Sequence, residues 1–339
     1  MATHLAHHGE LEISKHLLDQ LSQISVSTMK RILKRIRQDE PRLPSLGILY
    51  GRRRPSRGNK VTRDVPMRRI SWNEQQPGHF EVDLVHHCGS SASGEYVHAI
   101  QMIDVATGSS ERVTVLGRSY LVMEDAFRRI LARLPFPVLE IHSDNGSEFF
   151  NSHMLRFWDR LEQKIQLSRS RPYQKNDNRF VEQKNATLVR AYLGYDRLDS
   201  VAQTNAINQL YDEVWLYYSF FQPVMRLTEK TLVSADGQPS QIKRRFDQAR
   251  TPFDRLCETN VIPEKQKEQL RTPRDQVNPR QLRQEIYHLI DHIFRLPGAV
   301  PEKTEDVYKT LSTPIQSQKG EGIPVTLSFD LTQGATKGF

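Results

Sequence analysis

Apolar residues run in blocks of strand length through residues 79–143, interrupted once by helical spacing, and return at helical spacing between 150 and 221. The first block, 79–87, predicts a strand. YVHAIQMIDVAT and SSERVTVLG flank the Thr107-Gly108 turn and predict a hairpin. MEDAFRRILARL, about 121–134, spaces its apolar residues as an amphipathic helix and stops at Pro135 and Pro137. A fourth strand is predicted at 138–143 and a short fifth at IQLSRS. Between them FFNSHMLRFWDRLEQ gathers Phe150, Met154, Leu155, Trp158 and Leu161 on one helical face. Helices follow at 179–194 and 200–221, where Ile207, Leu210 and Val214 keep the spacing. The predicted order is βββαβαβαα, and it defines a core at 76–222.

The flanks read differently. In LEISKHLLDQLSQI, Leu11, Ile13, Leu17, Leu18, Leu21 and Ile24 fall at roughly helical spacing, and Ser25 or Ser27 can cap a second, basic helix, VSTMKRILKRIRQ. A helix, a short turn and a basic helix make 1–38 a helix-turn-helix-like, DNA-binding segment; a plain helical hairpin is the alternative. Pro41, Pro44, Pro55 and Pro66 among arginines make 39–75 an extended basic linker. Beyond Pro223, 223–300 reads as a small, basic C-terminal module, either a β-module or an extended arm, followed by a clear amphipathic helix at 279–296. Residues 301–339 are polar and rich in Thr, Gln and Gly, the composition of a disordered tail.

The 339 residues leave room for two or three domains. Mean hydropathy of −0.61, and no run of about 18 apolar residues, exclude a membrane-spanning helix. MATHLAHHGELEISK has no apolar signal-peptide region, and Cys88 and Cys257 suggest no disulfide framework, so the expectation is a cytoplasmic, nucleoid-associated protein. The net charge of +8 is uneven: residues 30–69 hold fourteen lysines and arginines against three carboxylates, a local +11. Such a block is the footprint of a phosphate-backbone partner, with Arg52, Arg53, Arg54, Arg57 and Lys60 as candidate DNA contacts; a solvated connector is the plainer reading.

Three carboxylates stand where chemistry is expected. Asp83 is flanked by Phe80, Val82, Leu84 and Val85, as on a buried strand. Asp144 follows Val138, Leu139 and Ile141, at a strand end before Asn145-Gly146. Glu182 opens a helical stretch. The three lie 61 and 38 positions apart. Brought together, they make an oxygen-only site for hard divalent cations, of the kind that cleaves phosphodiesters with two ions.

At these residues the chain resembles a DDE transposase of the bacterial insertion-sequence kind, with a retroviral-integrase-type catalytic core. SDNGSEF is similar to the second-Asp motif, SRPYQKNDNRFVEQKN to the segment carrying the third acid, and the resemblance covers roughly 75–225. It implies an α/β, RNase H-like core: a mixed five-stranded sheet with helices on both faces. It also implies Mg²⁺, with Mn²⁺ as a substitute, Asp83 bridging both ions, Asp144 holding one and Glu182 the other. Hydrolysis at an element's end and attack of the freed 3′-OH on target DNA would follow. The implied partners are double-stranded DNA (element ends and target), further copies of this chain and a possible helper ATPase. A nuclease without strand transfer, and a catalytically silent DNA-binding derivative, remain as alternatives.

Neighbouring residues receive lesser roles. Asn145, Gly146, Glu148 and Asn178 are candidates to support the acids; Asn178 matches a position where the family often has Asn, whereas Arg179 replaces its usual glycine. Arg169, Arg171, Lys175, Lys184 and Arg190 are candidate DNA contacts. Asp104 is a rival acid, read instead as capping the Thr107-Gly108 turn. His86, His87 and Cys88 invite a zinc reading, but no other cysteine lies nearby to complete a structural site. Trp72, Trp158 and Trp215 read as core anchors.

Overall fold

The computed structural model describes residues 2–39, 65–144, 146, 148–174, 176–233, 241–300 and 303–312. Three helices open the chain: α1 Ala2–His7, α2 Lys15–Gln23 and α3 Val26–Asp39. Ser14 caps α2 by accepting the Leu17 N–H, and Ser25 accepts the Thr28 N–H at the start of α3. The core holds β1 His79–His86, β2 Val97–Asp104, β3 Ser110–Leu116, α4 Tyr120–Arg133, β4 Glu140–Ser143, α5 Ser152–Asp159 and β5 Gln166–Arg169. Then come α6 Arg179–Lys184, a π-helical turn Asn185–Arg190, α7 Ala191–Leu193 and α8 Val201–Phe221.

The five strands form one sheet in the order β3-β2-β1-β4-β5. β1, β2 and β3 are antiparallel; β4 and β5 run parallel to β1. This is the mixed sheet of an RNase H-like core. Helices cover it so fully that every residue of β2, β3 and β4 is buried, polar ones such as Gln101, Glu111 and His142 included. Gly78, just before β1, has φ +114°, and a Cβ there would lie 2.7 Å from the Pro137 carbonyl oxygen. Glycine is what lets this turn sit against the start of β4. α8 closes the exposed edge of β3: the Asn208 carboxamide accepts the Thr114 N–H (2.8 Å) and donates to the Thr114 carbonyl (3.0 Å), as a neighbouring strand would. Trp215, about two turns further, donates to Glu111.

Three expectations change. α5 is shorter than its sequence suggested, because the Asn151 side chain caps it from the N–H groups of His153 and Met154, leaving Phe149 and Phe150 buried ahead of it. The region after Pro223 is more than a β-module and one helix. β6 Leu227–Val233 and β7 Gln241–Phe246 form a two-stranded hairpin, followed by α9 Pro252–Cys257, α10 Glu264–Gln276 and α11 Pro279–Arg295. Phe253, Leu256, Leu270, Leu282, Ile286, Ile290 and Ile293 join the same hydrophobic cluster as the sheet, with α11 packed along α8. Residues 303–312, expected in a disordered tail, instead pack on the core: Glu305 accepts the Val201 N–H and Ser312 donates to Asp125. The rest of that tail, and most of the basic linker, lie outside the described residues. Among the described residues no helix is long and apolar enough to cross a membrane.

Candidate active site

The sheet register assembles the first two acids. Val82 of β1 pairs with Ser143 of β4 in a parallel ladder. The residue after each, Asp83 and Asp144, therefore emerge side by side. Asp83 is half-buried; its Oδ1 accepts the Leu84 N–H (2.9 Å) and its Oδ2 accepts from Asn185 Nδ2 (2.7 Å). Burial pushes the Asp83 carboxyl up to about 7, the Asp144 charge adds to it, and Glu182 pushes the same way more weakly. The third acid thus reaches the first electrostatically while standing on the exposed side of α6.

How α6 is held explains this placement. Its first N–H groups need partners, and Asn178, at the capping position, does not supply them. Glu81 does, from the middle of β1: its Oε2 accepts the N–H groups of Phe180 (2.6 Å) and Val181 (3.0 Å). Asn178 instead donates to the Val82 carbonyl (3.1 Å). Three consecutive β1 residues, Glu81, Val82 and Asp83, therefore bind the segment Asn178–Asn185 that carries Glu182. Glu81 is fully buried; burial pushes its carboxyl up to about 7, while the helix N–H groups pull it back. Glu81 escaped the sequence reading, although its two-residue spacing from Asp83 puts both on one face of β1.

At the β4 end, Gly146 N–H donates to Asp144 Oδ1 (2.9 Å). A Cβ at Gly146 would lie 2.9 Å from that oxygen and 2.8 Å from Glu148 Cδ. Gly146 therefore allows the Asp144 and Glu148 carboxylates to share one side of the turn. Asn145 lies outside the described residues.

The candidate DNA contacts divide. Arg171 makes a two-pronged pair with Asp177 (2.8 Å each) that folds the loop before α6. Arg169 Nε donates to the Val65 carbonyl, where the end of the basic segment bridges to β5 through Met67. Arg190 donates to the carbonyls of His86 (2.8 Å) and Gly194 (3.0 Å). Lys184 stands 4.8 Å from the centre of the Tyr218 ring, and burial, with the Arg112 charge, lowers its ammonium to about 8. These contacts tie all four side chains to the core of the free chain. Lys175, Arg52, Arg53, Arg54, Arg57 and Lys60 lie outside the described residues.

Asp104 caps its turn as expected: it accepts the Thr107 N–H and hydroxyl (2.7 Å each) and the Gly78 N–H (2.8 Å). His87 is fully buried, and neither ring nitrogen has a hydrogen-bond partner. Cys88 forms a bridge with Arg197. Among the described residues no group of three His, Cys, Asp or Glu side chains stands at metal-holding distance. The donor set at Asp83, Asp144 and Glu182 nevertheless suits a hard divalent ion: it is all carboxylate oxygen, and mutual repulsion there is what a cation relieves.

Residues 73–175 match a family model described as the integrase core domain. The match takes in Asp83 and Asp144 and stops before Glu182. An uncharacterized protein of Sinorhizobium fredii, y4rM, is 39% identical over 234 residues, which are 68% of this chain and 64% of that protein. The chain thus spans under two thirds of that relative. Two solved structures are loosely similar. The simian T-cell lymphotropic virus intasome in complex with a PP2A regulatory subunit is 13% identical, with TM-score 0.39 over 61% of this chain and 64% of that one. The catalytic core domain of BIV integrase is 15% identical, with TM-score 0.32 over 43% and 85%. Residues 73–175 of this chain form an integrase-type core domain.

Proposed function

We propose that this chain is a DDE-type polynucleotidyl transferase that cuts duplex DNA at the ends of a mobile element and joins them to target DNA. The observation that supports the proposal is the emergence of Asp83 and Asp144 from paired parallel strands, with Glu182 on a helix anchored to the first of them. Asp83, Asp144 and Glu182 would hold Mg²⁺, or Mn²⁺ in its place, which when bound activates the attacking oxygen and balances charge at the phosphorus. The chain's own part is positional. Asn185 orients the Asp83 carboxylate, Gly146 N–H orients that of Asp144, and Glu81 fixes α6. The α2–α3 pair and the basic 39–75 segment would bind element ends, and two copies of the chain would hold two ends. A helper ATPase belongs to the same reading without a residue of its own.

The test uses labelled duplex carrying the flanking ends of the native locus, wild type beside Asp144→Asn. Joined products that need Mg²⁺ or Mn²⁺ and vanish in the variant are expected. Cleavage without joining would reduce the chain to a nuclease, and binding without any product to a silent DNA-binding protein. A readout independent of turnover is thermal unfolding: Mn²⁺ at about ten times its Kd should add about 1.4 kcal/mol to the wild type and nothing to Asp144→Asn.

A further inference from the structure

The β6–β7 hairpin stands out from the core with residues 228–232 and 242–246 all exposed. Its register separates two faces. Glu229 lies opposite Arg245 and Thr231 opposite Lys243; on this face Glu229 is 4.0 Å from Arg245 and accepts the Thr231 hydroxyl. On the other face Lys230 lies directly opposite Arg244, and Leu232 opposite Ile242. Phe246 shares that face by alternation. Like charges placed opposite one another destabilise a strand pair, and among the described residues neither Lys230 nor Arg244 has a carboxylate partner. Leu232, Ile242 and Phe246 remain 65%, 48% and 49% exposed around them.

An isolated two-stranded hairpin is marginal by itself, yet this one has a built neck. Arg255, 6% exposed, pairs with Asp247 (2.6 Å) and donates to the carbonyls of Val224 and Gln248. Asp247 also accepts the Arg226 N–H (2.7 Å), Val224 bridges to Arg250, and Arg226 reaches back to the Glu74 carbonyl. The neck ties both strands to α9 and to the entrance of the core. It holds the ribbon in a fixed attitude while leaving its charged face open.

We infer that the Lys230–Arg244 face of this hairpin is a duplex-DNA contact, a ribbon that lies in a groove with its two cations on phosphates. A two-stranded ribbon fits the width of a major groove. The unopposed cation pair, with no carboxylate on its face among the described residues, selects a polyanion over an acidic-and-basic protein surface. The inference rests on the DNA-processing reading above and adds to it the surface that would grip the substrate beyond the acids.

The experiment is fluorescence anisotropy with the full chain and a labelled 40-base-pair duplex of arbitrary sequence, in EDTA, across a KCl series. Lys230→Glu/Arg244→Glu is compared with Lys265→Glu/Lys303→Glu, which removes the same charge at exposed sites elsewhere. Affinity of the hairpin variant should fall about tenfold or more, with the slope of log K against log salt shallower by about 2. A hairpin variant that tracks the charge-matched control overturns the ribbon contact and leaves the DNA reading standing. A wild-type chain that binds no duplex overturns both. If Leu232→Ser/Ile242→Ser lowers the sedimentation coefficient with DNA affinity unchanged, the face belongs to a second copy of the chain and the inference fails.

Discussion

Asp83 and Asp104 are both strand aspartates shielded from solvent, on neighbouring strands, yet the fold treats them oppositely. Asp104 sits at the end of β2 with three donors fixed on its oxygens, two from Thr107 and one from Gly78. Burial raises its pKa and those hydrogen bonds draw it back. Asp83 sits within β1 with two donors, and its surroundings add carboxylates in place of further donors. A buried acid saturated by N–H and O–H groups is a turn component. A half-buried acid facing other acids stores repulsion that only a cation or a proton relieves, and such stored repulsion marks candidate chemistry.

The largest expected effect exploits this contrast. Asp83→Asn should lower metal-dependent cleavage by roughly a hundredfold or more, and it should leave the unfolding midpoint unchanged or higher, because a source of repulsion is removed. Asp104→Asn should do the reverse. Its carboxamide nitrogen would face an N–H it cannot accept, costing about 2 kcal/mol of stability, while kcat stays within a few-fold. Urea unfolding beside a cleavage assay reads both. Equal loss of activity in the two variants would show that Asp104, and not its position alone, belongs to the reaction.

Glu81 sharpens the comparison from inside β1. Like Asp104 it accepts two backbone N–H groups, both through Oε2, but these belong to the helix bearing Glu182. Glu81→Ala should reduce kcat about tenfold, since small displacements of a reacting group are costly, with KM for DNA little changed. Glu81→Gln keeps an accepting oxygen and should recover most of the rate. A purely structural cap would instead lower the amount of folded enzyme and leave the kcat of the folded fraction intact.

Much of this was legible along the chain. The strand blocks and helical spacing between 79 and 221 gave the sheet and its covering helices because each element buries its own periodic face. Asp83 and Asp144 were legible because an acid inside an apolar run, or directly after one, is locally conspicuous. Glu81 was not, since its partners Phe180 and Val181 lie about a hundred positions away and nothing local marks an acid as a helix cap. α10 was missed because EKQKEQLRTPRDQ is almost wholly polar and holds Pro273; it is anchored by Leu270 and Lys267. Lys184 and Arg190 read as candidate DNA contacts because sequence shows a charge and hides the aromatic ring or carbonyl that receives it.

The smallest effect comes from a third kind of polar residue beside the same two strands, one that has no partner at all. His87, just after β1, has both ring nitrogens buried without hydrogen bonds, and His98 on β2 has its Nδ1 so. Burial lowers both rings to about 3, with Arg190 and His98 adding to the shift at His87, and His86 and Arg118 at His98. Above pH 6.5 the folded and unfolded chains both hold these rings neutral, and no linkage arises. Below it the unfolded chain takes up protons that the folded chain refuses, so stability is lost as pH falls from 6.5 toward 3. At pH 5.5 the loss is about 1 kcal/mol for each ring. Glu81 and Asp83, raised to about 7, work in the opposite sense: the folded chain holds their protons more tightly, so they favour it as pH falls. The wild-type profile is therefore a difference of two trends, and a variant must separate them. His87→Leu, compared with wild type by urea unfolding at pH 7.5 and 5.5, should gain about 1 kcal/mol relative to wild type on acidification. If the two chains lose stability in parallel, His87 is protonated in the folded state, and the ring has found a partner that places it with Asp104 among the satisfied groups.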